Sequence, residues 1–398
     1  MSPVADRNSA DAPQGQRQHA PAPASKPFLG LIDAVIVEDP VVFPFDGSIG
    51  RKHAQGTWIW VTRDLCPDLL PDPDSMASSD LEAAMPEVLT RMRDAMKLAA
   101  DYEAGRRLRA QLGSAEALER LPLLVNALRC RALLIKAQAF GKVANTIADD
   151  AALGAALQSM PLQDAAVASV LMHAAIGQVA NPTRLMTIVL KLSGAGTEVA
   201  IQRAGFGPLV DAILAHAQNQ LFPLQPHGPF ADIDMTCRAL DRFHKLVRSL
   251  TGYVEFARNS RWTMVLSALT KQVSERIEPR LRDVVPDINQ SLRMIREGHD
   301  RLDHDRLLAA LNGVYLLVTI RECRDSLALN ALFDQAWTQS GQALELHLNR
   351  NLELLRADPA NKLAGTRMDA GIKMAEIRFN PEYAETLRRA RLAAERRS

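Results

Sequence analysis

Apolar side chains recur at spacings of three and four along most of the chain, the repeat of one face of an α-helix. From Pro73 onward this pattern is almost unbroken. Ser79 followed by Glu82 has the form of a capping box and predicts a helix running toward Gly113. Gly113-Ser114 then predicts a stop and a new N-cap. The helix it opens carries Leu118, Leu121, Leu124, Val125, Leu128, Leu133 and Leu134, with Pro122 expected to kink or restart it. Between Ala151 and Phe222 the predicted helices are shorter, separated by turns at Asn181-Pro182, Gly194-Ala195-Gly196 and Gly205-Phe206-Gly207-Pro208. Farther on they lengthen, to about Met235 to Arg258, Trp262 to Val285, Asp303 to Arg321 and Ser326 to Arg356. Pro286 is expected to help end the second of these. In the last, Leu344, Leu348, Leu352 and Leu355 form a seam suited to an antiparallel neighbour or to a homodimer partner.

Two stretches depart from the helical pattern. Residues 1–26 are rich in Pro, Ala and Gln and poor in large apolar groups, which predicts a disordered tail; a secretion leader has a similar composition. Residues 27–77 form an irregular, tryptophan-containing lead-in, punctuated by Pro40, Pro44, Gly47 and Gly50. The mostly β-branched run Ala34-Val35-Ile36-Val37 makes it the only place where a strand is plausible. Trp58 and Trp60 flank Ile59 in an alternation that suits a strand, yet Trp58, Val61 and Leu65 also fall on one face of a helix, the favoured of the two readings. Burying the tryptophans would anchor the lead-in on the helical body. The Pro/His/Gly-rich link from Phe222 to Asp234 is the natural internal boundary. The expected architecture is therefore all-α: an irregular array of antiparallel helical hairpins, with shorter helices over 78–222 and longer ones over 235–398.

Thr197 to Gln220 resembles the last two helices of an armadillo repeat. The resemblance rests on the Ala204-Gly205 turn, Pro208 at the start of the second helix, and Leu209-Val210 and Ile213-Leu214 facing inward. It covers this one unit and is not repeated at the roughly 40-residue period of such arrays. What it implies is packed helical hairpins.

Lys+Arg 47 against Asp+Glu 46 leaves the chain nearly neutral, so no global field draws it to nucleic acid or to an anionic membrane. Cys66, Cys130, Cys237 and Cys323 stand singly, without the paired spacing of a zinc or redox site, and suit a reducing compartment. No segment has the roughly 18 apolar residues of a membrane span, so the expectation is a soluble, cytoplasmic protein without a cofactor.

Candidate chemistry is sparse. In "EGHDRLDHDR", His299 and Asp303 stand four apart, as do Asp300 and His304, and each pair would share a helix face. A metal needs three or four converging donors, so His244, His347 or Glu322 would have to complete the set. The competing reading makes Asp300 or Asp303 a helix cap. "GAG" at 194–196 lacks the third glycine and the preceding strand of a phosphate loop. No GxSxG elbow is present, and no cysteine has an activating neighbour. His173, on an apolar face, reads as a core histidine, and Arg321, Glu322, Arg324 and Asp325 as charges meeting at a helix-to-helix turn.

Binding is better supported. Arg238, Arg242, His244, Lys245 and Arg248 share one helix, and Arg258 and Arg261 follow with Tyr253 and Trp262 interleaved; Arg242, Arg248, Arg258 and Arg261 are the candidate phosphate contacts. The C-terminal stretch from Glu385 is a short basic amphipathic helix expected to dock on the protein itself or on an acidic partner. Extended helical surfaces commonly act as scaffolds, and a non-enzymatic adaptor binding another protein is the leading expectation. The alternative is nucleic-acid binding through the Arg238 to Arg261 surface, and the third is a metal-dependent enzyme around His299 to His304.

Overall fold

The computed structural model describes residues 26–38, 41–73, 75–225, 232–293 and 302–396, and they form an all-α fold. The predicted tail lies outside the described residues up to position 25. The N-terminal part holds α1 (Lys26–Gly30), β1 (Ile36–Val37), β2 (Ile49–Gly50), α2 (Arg51–Trp60), α3 (Ser78–Leu98), α4 (Tyr102–Leu112), α5 (Ala115–Arg129) and α6 (Arg131–Ala144). A middle group follows: α7 (Asp150–Gln158), α8 (Ala165–Ile176), α9 (Thr183–Ser193), α10 (Glu198–Arg203) and α11 (Gly207–Asn219). The last part has α12 (Ile233–Thr251), α13 (Arg261–Leu292), α14 (His304–Cys323), α15 (Asn330–Ala357), α16 (Lys362–Arg378) and α17 (Pro381–Glu395). Among the described residues, no helix is long and apolar enough to cross a membrane.

Local chemistry explains many of the boundaries. Gly113 ends α4 at φ 86°, a conformation that costs glycine nothing, and the Ser114 hydroxyl accepts from Ala117 N–H to start α5. Trp58 and Trp60 lie on α2, each 1% exposed, and Trp58 stacks on Phe28 at 4.8 Å, so both anchor the lead-in. The lead-in does contain strand, as a minimal parallel pair with Ile36 opposite Ile49 and Val37 opposite Gly50. Between Thr197 and Gln220, Gly205 makes the turn, and Leu209, Val210, Ile213 and Leu214 are buried.

Three sequence expectations need correction. The N-cap of α3 is Ala77, which has no side-chain cap; Ser79 bonds to Asp80, and Glu82 pairs with Arg131 at 2.6 Å. Pro122 sits inside α5 without ending it, and the chain breaks at Cys130. Pro286 does not end its helix either: α13 continues to Leu292 through both Pro279 and Pro286. An interior proline costs about 3 kcal/mol, whereas fully burying an aliphatic side chain contributes about 1.5–3 kcal/mol. Ile277, Leu281, Val284 and Ile288 are all buried on that helix, so packing outweighs the two breaks. Of the two kinds of neighbour expected for the leucine seam, the structure supplies helices of the same chain: Leu344, Leu348, Leu352 and Leu355 lie in the core, where α13 and α16 pack on α15.

The apolar interior forms two clusters that meet on α8. Every residue of α8 from Val167 to Ile176 is buried. Val167, Val170, Leu171, Ala174 and Ala175 belong to a core shared with α1 to α6, while Met172 and Ile176 belong to a larger one shared with α7 and α9 to α17. That larger core runs unbroken across the Phe222 to Asp234 link, and α11 packs directly on α12. The lead-in ties the clusters together. Phe45 enters the larger core and Ile49 the smaller. Gln218 holds Phe43 through both backbone groups, Arg261 donates to Pro44 O at 2.9 Å, and Arg120 donates to Phe45 O and Ser48 O.

Packing of α6 on α8 depends on Gly141, where a Cβ would overlap the Ala175 carbonyl oxygen. Helix propensity alone favours alanine at an interior glycine by about 1 kcal/mol. Overpacking at a rigid backbone contact costs about 1–3 kcal/mol. Gly141→Ala is therefore expected to destabilise the protein despite its better propensity, seen as a lower urea midpoint; an unchanged or raised midpoint would contradict the close approach.

Candidate functional site

Arg242, the central candidate for phosphate contact, faces the interior. Its guanidinium donates to Ile176 O, Val179 O and Ala180 O at 2.8, 2.5 and 2.7 Å. These are carbonyls at and just beyond the C-terminal end of α8, which have no partner within their own helix. Arg261 pairs with Asp211, donates to Pro44 O and lies over the Phe45 ring at 5.1 Å. Arg238 pairs with Asp234 and Lys245 with Asp241, one turn away on the same helix. Arg248 and Arg258 are exposed. Half-buried Arg242 is thus engaged by the protein's own carbonyls, Arg261 is exposed but held by Asp211 and Pro44 O, and Arg248 and Arg258 face solvent.

His173 is buried, as its apolar face implied, and stacks on His216 of α11 with ring centroids 4.2 Å apart. His216 Nε2 is 2.8 Å from the His173 carbonyl oxygen; since a carbonyl only accepts, this nitrogen carries the proton. His173 Nδ1 is buried with no protein partner. Burial pulls the pKa of His216 down to about 4, opposed by the hydrogen bond to His173 and assisted by the nearby Arg242 charge. Burial and His216 itself hold His173 well below the usual histidine range. Both rings are neutral at pH 7.

His299 and Asp300 lie outside the described residues. Asp303 caps α14, its side chain accepting from Arg306 N–H, and pairs with the Arg306 guanidinium; His304 is exposed beside it. His244 bonds to Ser326 and His347 to Asn289. Among the described residues, no group of three or more His, Cys, Asp or Glu side chains is placed to hold a metal ion. Burial pushes the thiols of Cys66, Cys237 and Cys323 up, that of Cys323 to about 12, so they are protonated and poor nucleophiles. At the α14–α15 junction, Arg321 lies over the Trp337 ring and Arg324 over Phe333, with Asp334 3.5 Å from Arg324.

A cleft of about 260 Å³ beside Arg261 is lined by Asp46, Glu198, Gln202, Asp211 and Trp262. Its inner carboxylates are already engaged. Glu198 accepts from Ala257 N–H and the Ser260 hydroxyl, and Asp211 from the Trp262 indole N–H. On the C-terminal helix α17, Leu387 is buried while Arg388 pairs with Glu376 and Arg391 with Asp369, both on α16. That basic helix docks on its own protein.

The surface that sequence reasoning missed is the outer face of α6. Its inner face, Leu134, Ala137, Gly141 and Ala144, is buried. Opposite, Ala132, Ile135, Ala139 and Val143 form a second stripe; Ile135 is 70% exposed and Val143 50%, while Leu133, 42% exposed, lies off the stripe on the far side of Lys136. Among the described residues, no other helix carries three exposed large apolar side chains. The signal was in the sequence as a second series at spacings of three and four, hidden because both faces of the helix are apolar. Comparison of the chain with family models, with curated proteins and with solved structures finds no match.

The imidazole pair carries a pH dependence of known sign. Between pH 6.5 and about 4 the unfolded chain binds protons that the folded His216 refuses, so stability falls as pH drops through that window and the slope from this group flattens below it. Each imidazole contributes up to about 1.4 kcal/mol per pH unit. Urea midpoints from pH 7 to 4.5 are expected to fall less steeply in His216→Gln than in the wild type; identical slopes would contradict the assignment.

Proposed function

We propose that this chain is a non-enzymatic helical scaffold that binds another protein, with the outer face of α6 as its docking surface. The observation that carries this reading is the exposed stripe of Ile135 and Val143 on a helix whose other face already secures it to α8. Exposed apolar residues scattered singly need no explanation, but several on one helix mark a surface meant to be covered. Four unpaired cysteines suit a cytoplasmic setting.

The test uses the tagged protein and an Ile135→Ser/Val143→Ser variant as baits in the native cells, with nuclease present. Substitutions at exposed positions change stability by no more than about 0.5 kcal/mol, so both baits should melt together. The expected result is a protein partner retained by the wild type and lost from the variant. Partners captured equally by both would overturn the assignment of the surface.

A further inference from the structure

Resting on α6 as the docking face, we infer that its occupant is an amphipathic helix of another protein, apolar along one stripe and flanked by carboxylates. Ala132, Ile135, Ala139 and Val143 follow one another at intervals of three, four and four, the spacing of a helix-to-helix seam. The two alanines are small and let a second helix axis approach closely, while Ile135 and Val143 provide the knobs. At 100° per residue, Lys136 falls on one flank of the stripe and Lys142 on the other. Both are exposed. No Asp or Glu occurs anywhere in α6, although the chain as a whole is neutral. The remaining cation, Arg131, is already paired with Glu82 at 2.6 Å.

These lysines occupy the positions that choose a partner by charge in paired helices, and what they choose is Glu or Asp. Other occupants fit less well. A second copy of this chain, in either orientation, would set lysines against lysines, since neither flank holds an acid. Residues 1–25 balance Asp6 and Asp11 with Arg7 and Arg17 and contain no large apolar side chain beyond Met1 and Val4, so they offer no amphipathic stripe. A lipid surface calls for bulky or aromatic residues along the face, and here the centre of the stripe is alanine.

The experiment measures binding of the full chain to two synthetic helical peptides of about 20 residues, long enough to hold a helix. Both have leucines at spacings of three and four; one carries Glu on both flanks and the other Lys. The Glu peptide should bind at least about tenfold more tightly, a difference of about 1.4 kcal/mol. Lys136→Glu/Lys142→Glu should invert the preference, and Ile135→Ser/Val143→Ser should abolish binding of both. Equal affinities for the two peptides, a preference that survives charge reversal, or no binding at all would overturn the inference. So would concentration-dependent dimerisation through α6, or sedimentation of the chain with phosphatidylserine/phosphatidylcholine vesicles. If a cellular partner still depends on Ile135 and Val143 while the peptides show no charge preference, the acidic-helix assignment fails and the scaffold reading stands; if neither depends on that face, both fail.

Discussion

Enclosure of α8 is the constraint on which the rest of the structure depends. A helix with no polar face, from Val167 to Ile176, is stable only when protein surrounds it on every side. Two hydrophobic clusters supply that cover, and the small residues of α6 approach it at Gly141. Because α6 uses Ala137, Gly141 and Ala144 for this contact, its larger apolar residues Ile135 and Val143 are left on the outside. The exposed stripe follows from how α8 is packed.

Carbonyls at and just beyond helix ends raise a second demand, because they have no partner within a helix. Arginines from neighbouring elements meet it. Arg242 serves the end of α8, Arg184 reaches Ile147 O and Ala148 O beyond α6, and Arg276 reaches Leu221 O after α11. A hydrogen bond with a charged donor contributes roughly 1.5–3 kcal/mol, more than an exposed ion pair. Much of the basic character read from the sequence is therefore structural, and a count of arginines along α12 overstates the charge available to a ligand.

Features set by local chemistry were legible in the sequence: the all-α class, the Gly113-Ser114 boundary, the helical placement of Trp58, the core position of His173 and the cap at Asp303. Features set by partners distant in sequence were not. Pro286 resembles a helix end until the buried face of α13 is known, and Ser79-Glu82 resembles a capping box until Arg131 is seen to claim Glu82. The leucine seam on α15 and the stripe on α6 share the same spacing. Only the fold distinguishes them, one covered by α13 and α16 and the other uncovered.

Hydrogen–deuterium exchange followed across a denaturant series tests the role of α8 most directly. With α8 shared by both cores, its amides should be among the slowest to exchange, opening only with global unfolding, and the two cores should lose protection in one transition. Loss of protection in α8 well before α12 to α16, or separate unfolding of α1 to α6 while α8 stays protected, would contradict the account.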